Sequence, residues 1–224
     1  MTQRAVRQFV ALALLSIATA AAGAQERSVA DVAKAVDDHY NKLQAFTAEF
    51  SESYRGAGIE RTESGTLWLK KPGKMRWEYR QPREKVFVTD GSTAYFYVTG
   101  DQQARRAPVK KLDDLRSPLR YLLGKTKLQK EFQDLAFAPK IQPLTPGNVV
   151  LHGQPKSLAD RVSDVVLEIS PESRIVRLVV EEVDGSTTEF RFTNIVENPA
   201  VADAKFRFQA PEGVQVVESS AVAP

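Results

Sequence analysis

Residues 65–82 read GTLWLKKPGKMRWEYRQP and hold both tryptophans together with Met75, the one methionine beyond the initiator. Two alternating runs, Gly65–Lys71 and Lys74–Gln81, flank a Pro72-Gly73 turn signal, so the stretch is predicted to form two antiparallel strands. Leu67 and Leu69 share one side of the first. Met75, Trp77 and Tyr79 share one side of the second, with Lys74, Arg76, Glu78 and Arg80 opposite. Pro-Gly suits a type II turn, whose twist fits a two-residue hairpin poorly. An odd loop or a bulge is therefore expected, which gathers Leu67, Leu69, Met75, Trp77 and Tyr79 on one apolar face and leaves a cationic reverse.

Further out, the period-two pattern persists. Strands are predicted near residues 46–55, 61–71, 74–81, 84–90 and 93–99, then 135–143, 147–153, 163–170, 174–183 and 187–196. Asp184-Gly185 is a strong hairpin signal between the last two. A short strand at Lys205–Phe208 and a final Val214–Val217 complete about eleven. That number of short strands in one chain implies a closed or partly closed barrel, or one strongly curved sheet. Ser28 is a good N-cap with Asp31 in the capping-box position, opening an amphipathic helix over Ser28–Ala45. Between the strand sets, Ser117-Pro118 starts a short helix whose Leu119, Leu122 and Leu123 share a face. It is too short to stand alone, so its leucines are expected to rest on the sheet as a plug or lid.

Arg4 and Arg7 precede an apolar run from Phe9 to Ala22 that ends in Ala22-Gly23-Ala24. This predicts a cleavable secretory signal over residues 1–24, cut after Ala24, followed by one domain over residues 25–224. The run is too short to span a membrane comfortably. Without Arg4 and Arg7 the 31 basic residues fall to 29 against 28 acidic ones, a net of +1 that argues for no nucleic-acid role. The chain has no cysteine, so it offers no thiol nucleophile and no lipid attachment site, and it needs no disulfide in an oxidising compartment.

Catalytic constellations are scarce. His39 and His152 are the only histidines, neither within a motif, and the acidic pairs Asp37-Asp38, Asp113-Asp114 and Glu181-Glu182 read as solvated neighbours. No nucleophile elbow, zinc-protease or phosphate-loop pattern occurs. No enzyme activity, metal or cofactor is expected. Arg105, Arg106, Lys110 and Lys111 form a basic segment read as a solvated loop or as a docking patch for an acidic partner or lipid headgroups.

The series GTLWLKKPGKMRWEY, VTDGSTAYFY, SPLRYLL, TEFRFTNI and AKFRFQAPEGVQVV resembles, in that order, the LolA family of periplasmic outer-membrane lipoprotein carriers. The resemblance covers nearly all of the mature chain. It implies a mainly β fold with helices (α+β), an incomplete antiparallel β-barrel whose concave apolar face is closed by an N-terminal helix and a short helical lid. The implied cargo is triacylated lipoprotein, received from an inner-membrane ABC transporter and passed to an outer-membrane acceptor. The carrier would be a monomer without stable membrane insertion. By the resemblance Met75 and Trp77 match cavity-lining positions, joined in the expected acyl-chain surface by Leu67, Leu69, Tyr79, Val86 and Val88, while Leu119, Leu122 and Leu123 match the lid. The family commonly places arginine directly before the proline as a latch on backbone carbonyls. Lys71 stands there instead, a point charge without arginine's planar fork. Two other readings use the same residues: a lipid- or lipoprotein-sensing module on the same half-barrel, and an acyl hydrolase with a serine near His152.

Overall fold

The structure, a computed structural model, describes residues 27–109, 122 and 127–219. The predicted signal sequence and its cleavage point, Lys110, Lys111, Leu119 and Leu123 lie outside the described residues. Helix α1 runs over Val29–Lys42, ending three residues earlier than predicted, and its Ser28 and Asp31 form the expected capping box. Leu43 leaves the helix in an extended conformation, so the apolar period ends where β1 begins.

Twelve strands make one sheet: β1 (Ala45–Gly56), β2 (Ile59–Lys70), β3 (Lys74–Gln81), β4 (Lys85–Asp90), β5 (Thr93–Val98), β6 (Gln103–Pro108), β7 (Phe132–Phe137), β8 (Val149–Pro155), β9 (Val162–Ile169), β10 (Ile175–Glu182), β11 (Thr187–Glu197) and β12 (Gln215–Glu218). Their spatial order is β12-β6-β5-β4-β3-β2-β1-β11-β10-β9-β8-β7. The chain thus winds outward from β1 to one edge, restarts at the far edge with β7, and returns to pair β11 with β1. The sheet stays open, as the incomplete barrel requires. One pairing is not antiparallel: β12 lies parallel to β6.

Several expected boundaries shift for identifiable reasons. A four-residue helix α2 (Leu128–Glu131) leads into β7, and the chain has left the sheet after Phe137. Lys205–Phe208 is not a strand; Asp203–Phe206 is a 3₁₀ turn whose Phe206 is buried. Arg105 and Arg106 lie within β6, not on a loop, because the strand gains a partner on each side.

The hairpin of residues 65–82 takes the odd register. Lys71, Pro72 and Gly73 form a three-residue loop, and Leu67 faces Trp77 while Leu69 faces Met75. This row continues to Phe87 on β4 and Phe96 on β5. The same face bends sharply. Trp77 on β3 and Phe190 on β11 are separated by three strand spacings, roughly 14 Å on a flat sheet, yet their ring centroids lie 5.9 Å apart. The concave side therefore carries the main core, in which Phe50, Leu67, Trp77, Leu167, Leu178, Phe190 and Phe192 pack with the buried face of α1.

The convex side is covered in two places. Over β3 and β4 lies a strap formed by residues 201–209. Lys70 donates to the Val201 carbonyl and to Asp203, each at 2.7 Å, and Lys74 donates to the other Asp203 oxygen at 2.7 Å. Hydrogen bonds from Lys70 and Lys74 hold the Asp203 carboxyl down at about 2, so the clasp stays charged well into acid. Lys205 reaches Glu78 at 3.1 Å and covers the Trp68 ring at 3.8 Å, while Phe208 stacks on Tyr95. The expected cationic reverse of the hairpin is thus largely neutralised. Behind β8, β9 and β10, residues 138–148 cover a small cluster of Ala138, Val150, Val166 and Val179. Buried Glu168 pins that segment by accepting from the Leu144 and Thr145 amides and the Asn148 side chain.

Candidate functional site

The concave face grades from apolar to polar along the strands. On β1 its residues are Phe46, Ala48, Phe50 and Glu52; their partners on β2 are Leu69, Leu67, Gly65 and Glu63. On β3 the same face presents Met75, Trp77 and Tyr79, and on β4 Thr89, Phe87 and Lys85. The middle is an aromatic floor: Phe50 meets Trp77 edge-on at 4.7 Å and Tyr79 at 4.9 Å between centroids. Of the residues expected from sequence, Leu67, Leu69, Met75, Trp77 and Tyr79 share this face.

Val86 and Val88 do not. They pair with Glu78 and Arg76 and so belong to the convex side, where Val86, Tyr97 and Phe208 line a cleft of about 470 Å³ beneath the strap. Their assignment to the acyl-chain surface is corrected accordingly. In the run Lys85–Asp90 the apolar residues are consecutive because both faces of β4 are covered.

The end of the floor that faces α1 is closed. Val32, Ala33, Val36 and Tyr40 turn the apolar stripe of α1 inward. Tyr40 is buried and accepts a hydrogen bond from the Ile175 amide at 2.9 Å, and burial pushes its hydroxyl well above the usual range. His39 lies 3.1 Å from Glu197, which also binds Arg174. Leu122, the one described member of the expected lid trio, is buried and shares with Leu43, Phe46, Leu69 and Lys71 a void of only about 10 Å³. That is no more than one water-sized space.

Lys71 hydrogen-bonds a partner the sequence did not reveal. Its Nζ donates to the Tyr40 carbonyl at 2.7 Å and to the Asn41 carbonyl at 3.0 Å. These are last-turn carbonyls of α1, which lack intrahelical partners and carry the negative end of the helix dipole. A single ammonium between two carbonyls suits lysine as a point donor.

At the other end the face turns polar. Tyr79 donates to buried Glu52 at 2.7 Å, Glu63 stands directly across from Glu52, and Lys85 contacts Glu63 at 2.9 Å while covering the Tyr79 ring at 4.0 Å. Arg61 also reaches Glu63. Desolvation raises the Glu52 carboxyl above its usual range, with the Tyr79 hydrogen bond opposing. A carboxyl raised in the folded state favours folding most below its unfolded pKa, and the advantage is lost as pH rises through the folded value. Glu52→Gln keeps an acceptor for Tyr79 and removes the buried charge. It is expected to raise the melting temperature at pH 8 and leave it unchanged near pH 4, by parallel thermal scans of the two proteins. An unchanged melting temperature at pH 8 would show that Glu52 carries no such cost.

The basic segment does not form one patch. Arg105 pairs with Phe96 and belongs to the concave rim, whereas Arg106 pairs with Tyr95 on the convex side and is bound by Glu218 at 2.7 Å. The histidines are likewise apart, His39 on α1 and His152 on β8 beside Asp164. Among the described residues no group of three or more His, Asp or Glu is arranged to hold a metal ion.

The comparisons with known proteins agree with one another. The family model described as "Outer membrane lipoprotein carrier protein LolA" matches residues 41–209. A Bordetella avium (strain 197N) protein named outer-membrane lipoprotein carrier protein is 30% identical over 227 residues, covering 97% of this chain and 100% of the relative. A Nitrosomonas europaea protein of the same name is 28% identical over 194 residues, covering 84% of this chain and 89% of the relative. The crystal structure of the Mycobacterium tuberculosis lipoprotein LppX superimposes with a TM-score of 0.50 at 12% identity, covering 78% of this chain and 97% of that one, and shares the fold.

Proposed function

Since the chain belongs to the LolA family of outer-membrane lipoprotein carrier proteins, we propose that it binds the acyl chains of lipoproteins in the periplasm and delivers them to an acceptor at the outer membrane. The observation that carries this reading is the aromatic floor of Phe50, Trp77, Tyr79 and Phe190, closed at one end by α1, whose last turn is hydrogen-bonded by Lys71. Burying each acyl methylene contributes about 0.8 kcal/mol, so one full chain amounts to on the order of 10 kcal/mol. A carrier that held every chain fully, with nothing opposing it, would never release them. Displacing α1 and Leu122 from the floor opposes binding, which lets cargo pass onward to a stronger acceptor.

In this reading the signal over residues 1–24 directs export and is cut after Ala24. An inner-membrane ABC transporter loads triacylated lipoproteins, and the carrier works as a monomer without catalysis.

Met75→Glu places a carboxylate in the apolar row opposite Leu69. Met75 is only half buried, so the fold is expected to survive while lipoprotein binding falls on the order of tenfold or more. Mass spectrometry of the protein purified from periplasm without detergent provides the check. The native chain is expected to begin at Gln25 and to bring down acylated polypeptides, which the variant loses. Equal loading of both proteins would defeat the assignment. Free fatty acid in place of lipoprotein would favour a lipid sensor.

A further inference from the structure

The Trp77 side chain is fully buried, and its Nε1 has no hydrogen-bond partner, the one such donor among the described side chains. The groups around it explain why. Leu67 lies across the strand pair, and the rings of Phe50, Tyr79 and Phe190 surround the indole with centroids at 4.7, 6.4 and 5.9 Å. The next side chain along the same face of β3, Tyr79, has its hydroxyl engaged by Glu52. Aromatic faces are weak substitutes for an oxygen acceptor. A buried donor without a partner is costly, and phenylalanine would fill much of the same space without that cost.

Its position along the trough matters equally. Toward α1 the concave rows hold Phe46, Leu69 and Met75; on the other side they hold Glu52, Glu63, Tyr79 and Lys85. Trp77 stands at the boundary between the two. An acylated lipid has one polar group at the boundary between hydrocarbon and head, the carbonyl of its ester or amide linkage. We propose that the Trp77 indole N–H donates to this acyl-linkage carbonyl, setting the chains toward the α1 end and the head toward the Glu52–Lys85 cluster. The inference rests on the acyl-chain reading above. It adds that the floor distinguishes acyl linkages from bare hydrocarbon.

The test compares dioctanoylglycerol with its dioctyl ether analogue, which lacks both carbonyls, by titration calorimetry on the mature protein and on Trp77→Phe. The native protein is expected to bind the ester about tenfold more tightly than the ether, and the variant to bind both alike. On native ¹⁵N-labelled protein, the indole N–H resonance of Trp77 should shift downfield with ester and not with ether. The Trp68 indole, on the convex face, serves as the unmoved control. This second measurement decides the matter if the variant fails to fold. Equal binding of both ligands by the native protein overturns the carbonyl contact and leaves the acyl floor intact. Discrimination that persists in Trp77→Phe also overturns it. Binding of neither ligand overturns both the contact and the acyl-chain reading.

Discussion

Gly65→Ala is expected to cause the largest loss of stability of any single methyl addition in the hairpin. A Cβ at residue 65 would sit 1.8 Å from the Glu78 carbonyl oxygen and 2.9 Å from the Tyr79 Cα, both backbone atoms of the neighbouring strand. No rotamer change relieves that contact; β2 and β3 must move apart. The site is also where their register shifts, between Ser64 and Gly65, so the glycine allows the closest approach at the bulge that aligns Gly65 with Tyr79. Overpacking typically costs about 1–3 kcal/mol, and a clash with backbone belongs at or beyond the upper end. A fall in melting temperature on the order of 10 °C, or recovery only as aggregate, is the expected result. A variant that melts within about 2 °C of the native protein would mean that this strand pair is far more pliable than its register implies.

The second large effect concerns Lys71. Lys71→Leu removes both hydrogen bonds to the final turn of α1 and the cation that opposes its dipole, a loss of about 2 kcal/mol in the docking of the helix. Amide hydrogen exchange across α1 should accelerate roughly thirtyfold through local opening. Because cargo must displace the same helix, acyl binding should tighten by a similar factor and transfer to an acceptor should slow. Lys71→Arg retains donors and charge and should restore most of the native behaviour. If exchange in α1 is unchanged in the leucine variant, the lysine is not the clasp, however well it is placed.

Much of the architecture was legible because it is local. Alternation located most strands, Asp184-Gly185 marked a hairpin that is present, and the odd loop at Pro72-Gly73 placed Leu67 and Leu69 beside Trp77 and Met75. What escaped depends on distant partners. Lys205–Phe208 alternates like a strand, yet its neighbours are side chains of β3 and β5, so it folds as a strap. Val86 and Val88 are as apolar as Phe87 between them, and periodicity cannot say which face is concave when both are covered. Lys71 was singled out as a latch only through the family resemblance. Its partner, the C-terminus of α1, lies 30 residues upstream. The Glu52–Tyr79 contact joins side chains 27 residues apart, on strands that are not sheet neighbours.

The two coverings on the convex side have a mechanical consequence. The strap stiffens β3 and β4, and the segment pinned by Glu168 stiffens β8 to β10, so each half of the sheet behaves as a laminated plate. Between the plates runs the β1–β11 seam, whose outer surface presents Glu49, Arg191 and Thr193 to water and whose register slips between Thr47 and Glu49. A load on the rims is taken up where the laminate is thinnest. Any change in the gape of the trough is therefore expected along that seam, without parting either of the cores that back it.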